Sequence, residues 1–288
     1  MQLSNPDRLL YPKDRITKAD VAAYYEAVAG PLLRALAGRP LAVVHWNQGI
    51  EKSRWFQQNT GSDAEPWMTV VETPLRTKGG AARHLVADRP ETLRWLAQHS
   101  ALELHIWHSR MDSLTQPDWV LFDLDPSPDV GFKETVQVAL IVKAALDVLG
   151  LESFPKTSSA DGMHVLVPVE RRYTYDDTRE FSEIVASAIA RTHRGLATTE
   201  WVKSKRRGVL VDSNQNGEGK TIASAYSVRP RPGAPVSAPL RWDEVTETLD
   251  PSTFTMDVVL ERVRVHGDLF EGVLTTRQRL DRALKTLR

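Results

Sequence analysis

The sequence predicts a mixed α+β fold, and three observations carry that prediction. Residues 41–108 hold short apolar runs rich in β-branched and aromatic residues. Longer stretches with helical spacing stand on either side of them, Val21, Tyr24, Val28 and Leu32 in one and Val138, Ile141, Ala145 and Leu149 in the other. Residues 117–169 then read as strand, helix, strand.

Taken in order, Asn5-Pro6-Asp7-Arg8 and Tyr11-Pro12-Lys13-Asp14 are turns. Thr17 is a good N-cap for a helix from about Lys18 to Leu36, ended by Gly38. Leu41 to His45, Trp55-Phe56, Met68 to Glu72 and Leu102 to Trp107 are strands, the last with His105 and Trp107 on one face. Arg76-Thr77-Lys78-Gly79-Gly80 is a basic loop, within a loop over residues 74–84, and Pro90 to Gln98 is a short helix with proline in its first turn. Val120-Leu121-Phe122 is a buried strand stopped by Pro126. A helix from Phe132 to Leu149, a strand from Met163 to Val169, a helix from Tyr175 to His193 and strands at Val209–Val211 and Thr221–Ala225 follow. Two short helices, near Met256–Val263 and Thr276–Leu287, close the chain. The proline-rich run 230–239 is the only boundary-like stretch, and too little follows it for a second domain, so residues 1–288 read as one domain.

Composition narrows the function classes. The absence of cysteine excludes disulfides and thiolate metal sites and fits a cytoplasmic protein. No run is long enough to span a membrane. Lys+Arg and Asp+Glu both number 37, so any anionic partner must be met by local clusters of cations. There is no GxxxxGK[ST] phosphate loop, no G-x-S-x-G elbow and no paired-histidine zinc spacing.

The residues that carry chemistry begin with Asp123 and Asp125. Two positions apart at a strand end, they share a face and repel as anions unless a cation sits between them or one holds a proton. Hard oxygen donors at that spacing suit Mg²⁺ or Mn²⁺, while the alternative is a strand ending in turn-forming aspartates. A third acid, Asp212, closes Val209-Leu210-Val211 after the cluster Lys203-Ser204-Lys205-Arg206-Arg207. The loop Thr157-Ser158-Ser159-Ala160-Asp161-Gly162 offers hydroxyls and free amides to a phosphate, and His164 opens the next strand. Arg8, Lys13, Arg15 and Lys18 gather around a helix start, either as an anion site or as a solvated face. Trp55 and Phe56, beside Arg54, form either a base-stacking platform or part of the core. Carboxylates for divalent metals plus cations for a triphosphate are the inventory of phosphoryl and nucleotidyl transfer.

Four blocks in order resemble a known family, the polymerase domain of bacterial LigD within the archaeo-eukaryotic primase superfamily. They are Leu102-Glu103-Leu104-His105-x-Trp107, Phe122-Asp123-Leu124-Asp125-Pro126, Lys156-Thr157-Ser158…Gly162-Met163-His164-Val165 and Asp212…Gln215-Asn216…Tyr226-Ser227-x-Arg229. The resemblance implies a primase-like core with a central, mostly antiparallel sheet flanked by helices, plus a β-rich N-terminal portion. It implies two ions, Mn²⁺ or Mg²⁺, roughly 4 Å apart, held by Asp123, Asp125 and Asp212. His105, Ser158, His164, Arg206 and Arg229 match positions that contact the incoming nucleoside triphosphate. Asn5, Arg8 and Lys18 match a grip on a DNA 5′-phosphate, and Trp55 and Phe56 match aromatics against the template. Arg206, rather than Lys205 or Arg207, is the match within its cluster.

The function implied is template-dependent nucleotidyl transfer at gaps or broken DNA ends, in end joining or gap filling. A ligase and an end-binding protein are the implied partners, and the bacterial or archaeal nucleoid the place. The same residues leave open a non-catalytic binder of 5′-phosphorylated ends and a metal-dependent phosphoesterase.

Overall fold

The computed structural model describes residues 3–60, 64–74, 80–158 and 161–287. Its first elements are β1 (Leu9–Tyr11), β2 (Ile16–Thr17), α1 (Lys18–Ala27), α2 (Ala29–Leu36), β3 (Leu41–His45), β4 (Trp55–Gln57), β5 (Thr69–Pro74) and β6 (Ala81–Val86). Next come α3 (Pro90–Gln98), β7 (Ala101–Trp107), β8 (Trp119–Pro126), α4 (Phe132–Val148), β9 (Phe154–Thr157), β10 (Met163–Pro168) and α5 (Tyr175–Thr192). The last are β11 (Ala197–Thr198), β12 (Val209–Asp212), β13 (Thr221–Ala223), α6 (Met256–His266), α7 (Glu271–Thr275) and α8 (Asp281–Leu287). The chain divides into two compact units. The first comprises Met1–Leu114, Thr221–Ser237 and Ser252–Asp268, and the second Thr115–Lys220, Ala238–Pro251 and Leu269–Arg288.

The first unit is built on an antiparallel sheet of order β13-β7-β3-β4. Every residue of β3 is buried, which explains why its sequence is a continuous apolar run rather than an alternation. Thr17 caps α1 as its sequence suggests, its hydroxyl accepting from the Asp20 amide while Asp20 accepts the Thr17 amide. The helix expected over Lys18–Leu36 is instead two, broken at Val28 (φ −93°, ψ 7°). Pro31 is the cause: it lacks an amide hydrogen and its ring would strike the carbonyl four residues back, so it fits only in the first turn of a new helix. Of the loop expected over residues 74–84, Pro74 and residues 81–84 are strand instead, because β5 and β6 pair from Thr69↔Val86 to Pro74↔Ala81. Most of the basic loop Arg76–Gly80 lies outside the described residues.

The second unit centres on a sheet of order β11-β12-β8-β10-β9, antiparallel except for β11 with β12. Side-chain alternation gives its two faces different work. Val120, Phe122 and Leu124 of β8 point one way, and Phe122 meets Phe181 of α5 edge-on. Trp119 and Leu121 point the other way, where Trp119 meets Phe270 edge-on. Phe154 of β9 closes this end so tightly that a Cβ on Gly272 would collide with its ring. Each of these apolar side chains removed from water contributes about 1.5–3 kcal/mol. Residues 276–280, expected as the start of a terminal helix, run between α7 and α8 instead. There Gln278 binds the Glu152 amide and the Glu152 and Pro168 carbonyls, and tertiary bonds override helix propensity.

Candidate catalytic and nucleotide-binding sites

In the second unit the register of the sheet assembles the acidic site. His164 of β10 lies opposite Asp123 of β8 on one side, and Asp212 of β12 lies opposite Asp123 on the other. Lys156 of β9 lies opposite His164, so one cross-strand row reads Lys156, His164, Asp123, Asp212. Asp125 sits on the same face, one pleat repeat beyond Asp123. The polar row continues the face whose other end is filled by Trp119, Leu121 and Phe154.

The row is unevenly neutralised. His164 Nε2 stands 3.3 Å from Asp123 Oδ1. Arg206 Nη1 stands 2.5 Å from Asp125 Oδ2, and its other nitrogens donate to the carbonyls of Glu200 and Trp201. Of the basic cluster, Arg206 alone turns inward, while Lys205 and Arg207 are exposed. Burial pushes the Asp123 carboxyl up to about 6, against the pull of Lys156 and Arg206. Burial also raises Asp212, whose remaining influences include the Asn214 amide, which lowers it, and the Asp123 charge, which raises it further. These are the marks of carboxylates gathered without a full complement of positive charge.

Metal binding is consistent with the donor chemistry. Asp123 and Asp212 offer hard oxygens side by side and Asp125 a third, with no sulfur present, the set that suits Mg²⁺ or Mn²⁺. Among the described residues, no three His, Cys, Asp or Glu side chains converge closely enough to cage an ion as they stand. Asp125 is turned onto Arg206.

Ser158 lies beside this row. Its amide donates to the Gly162 carbonyl, and a Cβ on Gly162 would stand 2.6 Å from the Ser158 hydroxyl and 2.7 Å from the Leu124 carbonyl oxygen. Only glycine allows the phosphate-type loop to lie so close to β8. Ser159 and Ala160 of that loop lie outside the described residues.

In the first unit, Asn5, Arg8 and Lys18 come together as the sequence suggested. The Arg8 amide donates to the Asn5 carbonyl and the Lys18 amide to the Arg8 carbonyl. The Lys18 side chain does not lie on a solvated face. It is buried, with its ammonium on the Ser4 carbonyl and on Gln98 Oε1, and burial together with Arg8 lowers its pKa. Arg8 stays exposed, its guanidinium on the Asn47 carbonyl. Trp55 and Phe56 lie on edge strand β4, 50% and 54% exposed. They are a surface feature rather than core. Trp55 stacks on His45 and walls a cleft of about 480 Å³ with Trp95, Gln98 and His99.

His105 and Arg229 also meet in this unit, through a residue that sequence reading passed over. Glu103 Oε1 lies 3.1 Å from Arg229 Nη2 and 3.7 Å from His105 Nε2. The signal was available, since a glutamate two positions before a histidine on a strand shares its face. Lys156 was likewise quoted only within a motif and given no role, though it shares a strand face with Phe154 two residues earlier.

The model of the LigD primase-polymerase domain matches residues 17–270. The multifunctional non-homologous end joining protein LigD of Mycolicibacterium smegmatis is 32% identical over 274 residues, covering 93% of this chain and 35% of the relative. The bifunctional LigD of Bacillus subtilis is 32% identical over 269 residues, covering 93% and 43%. The chain therefore spans less than half the length of these relatives. The solved polymerase domain of Mycobacterium tuberculosis ligase D superposes with a TM-score of 0.89 at 30% identity, covering 96% of this chain and 99% of that one. The chain belongs to the LigD primase-polymerase family and has the α+β fold, antiparallel sheets flanked by helices, of that solved polymerase domain.

Proposed function

We propose that this chain is a template-dependent nucleotidyltransferase that adds nucleotides at gaps or broken DNA ends in DNA repair, its whole length serving as one polymerase domain. The observation that carries the reading is Asp212 directly opposite Asp123, with Asp125 one pleat repeat along the same face. These three aspartates would hold two divalent ions, Mn²⁺ or Mg²⁺. Ions bound there supply Lewis-acid polarisation of phosphate oxygens and a lowered pKa for the attacking 3′-hydroxyl.

The chain's own side chains do the rest. Arg206, fixed by two loop carbonyls, presents a preorganised cation to phosphate oxygens. His164 holds Asp123 in orientation through Nε2 and, with Ser158, donates to the triphosphate. In the first unit, Arg229 and His105 contact the nucleotide, chiefly its phosphates. Asn5, Arg8 and Lys18 position a 5′-phosphate, with Arg8 supplying the accessible charge. Trp55 and Phe56 offer ring faces to template bases. The Mycobacterium tuberculosis domain was solved in complex with DNA, which supports the choice of partner. A ligase and an end-binding protein complete the repair reaction in the bacterial nucleoid, and no described helix is long and apolar enough to cross a membrane.

The test is a labelled primer on a gapped duplex with a 5′-phosphate, Mn²⁺ and nucleoside triphosphates. The parent extends the primer, and Asp123→Ala and Asp212→Ala do not. Extension by Asp123→Ala equal to the parent refutes the assignment. Primer cleavage would replace it with a phosphoesterase, and tight binding without extension with an end binder.

A further inference from the structure

Arg229 belongs to a segment whose backbone is pinned at several points. Its amide donates to the Pro235 carbonyl, and its own carbonyl accepts from the Arg231 amide and the Tyr11 hydroxyl. Two residues earlier, the Ser227 hydroxyl accepts from the Leu104 amide and donates to the Leu102 carbonyl, which ties the segment to β7. What this scaffold leaves undetermined is the direction of the guanidinium on its long, flexible stem. Glu103 determines it. The carboxylate is 5% exposed, and one oxygen faces both Arg229 Nη2 and His105 Nε2. Burial pushes this carboxyl up, yet His105 and Arg229 outweigh burial and hold it below the usual carboxylate range. The Arg229 side chain is 13% exposed and that of His105 21%, while Arg229 Nε and Nη1 are buried with no hydrogen-bond partner among the described residues.

We propose that Glu103 is the positioning residue of the nucleotide site, holding Arg229 and His105 through a single carboxylate oxygen so that both meet the polyphosphate of a nucleoside triphosphate in preset orientation. This rests on the nucleotidyltransferase reading given above. Glu103 is anionic and buried, so it repels the polyphosphate and does not contact it. Its effect passes through the fixed guanidinium and imidazole, which need no reordering when the nucleotide arrives. A charge-assisted buried bond of this kind corresponds to about a 10- to 100-fold change in affinity.

The experiment is steady-state primer extension with Glu103→Gln, Glu103→Asp, Arg229→Ala and the Glu103→Gln/Arg229→Ala double variant, alongside thermal melting of each. Glu103→Gln raises KM for the nucleotide about 10- to 100-fold with kcat little changed. Glu103→Asp, which keeps the charge, recovers part of the loss. In the Arg229→Ala background, Glu103→Gln adds much less, because the guanidinium it aims is gone. Full additivity of the two substitutions, or a kcat loss that tracks the melting temperature with KM unchanged, overturns the inference and leaves Glu103 a structural residue. If Arg229→Ala itself leaves the nucleotide KM unchanged, the nucleotide role of this cluster fails, whatever Glu103 does.

Discussion

Asp123 is a charge the fold holds at a cost, and replacing it with asparagine should make the metal-free protein more stable. Asparagine has the shape of a protonated aspartate and carries no charge at any pH. The Asp123 carboxyl moves from an ordinary 3.8 up to about 6 in the folded protein, chiefly through burial. Because the folded value lies above the unfolded one, folding favours the protonated acid. Its stabilisation is complete below about pH 4 and is lost as pH rises through about 6. The interval from 3.8 to about 6 is worth up to about 3 kcal/mol at pH 7.5. The attraction of Lys156 and Arg206 is already inside that figure, since both act to lower the value.

The assay is urea unfolding in EDTA, followed by circular dichroism, for parent and Asp123→Asn between pH 4 and 8. The two curves should coincide near pH 4 and diverge as pH rises, with the variant the more stable by up to about 3 kcal/mol at pH 7.5. Mn²⁺ should then narrow the gap, since an ion that binds the folded parent stabilises it by mass action. A variant less stable than the parent at pH 7.5, or a difference that does not change with pH, refutes the reasoning.

Three other outcomes follow from single contacts. The Asn216 side chain accepts from the Leu121 amide at 2.8 Å and donates to the Leu121 carbonyl at 2.7 Å, so Asn216→Ala orphans two buried backbone groups. It should cost about 2–5 kcal/mol in denaturant unfolding, and a cost under about 0.5 kcal/mol would show that those groups find other partners. Phe56→Ala, at a half-exposed edge position, should leave stability within about 0.5 kcal/mol while weakening binding to a single-stranded template overhang by about 1–3 kcal/mol. Unchanged overhang affinity by fluorescence anisotropy removes Phe56 from the template contact. Arg8→Ala should reduce the slope of log affinity against log salt by about 1 on 5′-phosphorylated gaps, and an unchanged slope means the exposed guanidinium meets no phosphate.

The strand Trp119–Pro126 and its aspartate pair were legible in sequence because alternation is local: two residues apart on a strand means one face, wherever the strand goes. The partners of the pair were not legible in the same way. Asp212 faces Asp123 because of a register, and register depends on how distant segments bury their own apolar faces. Asn216 is the sharpest case. Strand pairing between Val209–Asp212 and Trp119–Pro126 stops at Asp212↔Asp123, one pleat repeat short of Leu121. The turn after Asp212 folds an amide side chain back to take both polar groups of Leu121, doing with one side chain what a further strand residue would do with its backbone. The chain thereby ends β12 at its acid, turns away beyond the site and still leaves the central strand satisfied. Sequence marked this asparagine only as part of a motif, which said nothing of that use. The helix break at Val28 is the opposite kind of miss. Its cause, Pro31, was in plain view, and apolar spacing that ran unbroken across it outweighed a steric rule that tolerates no exception within a helix interior without a kink.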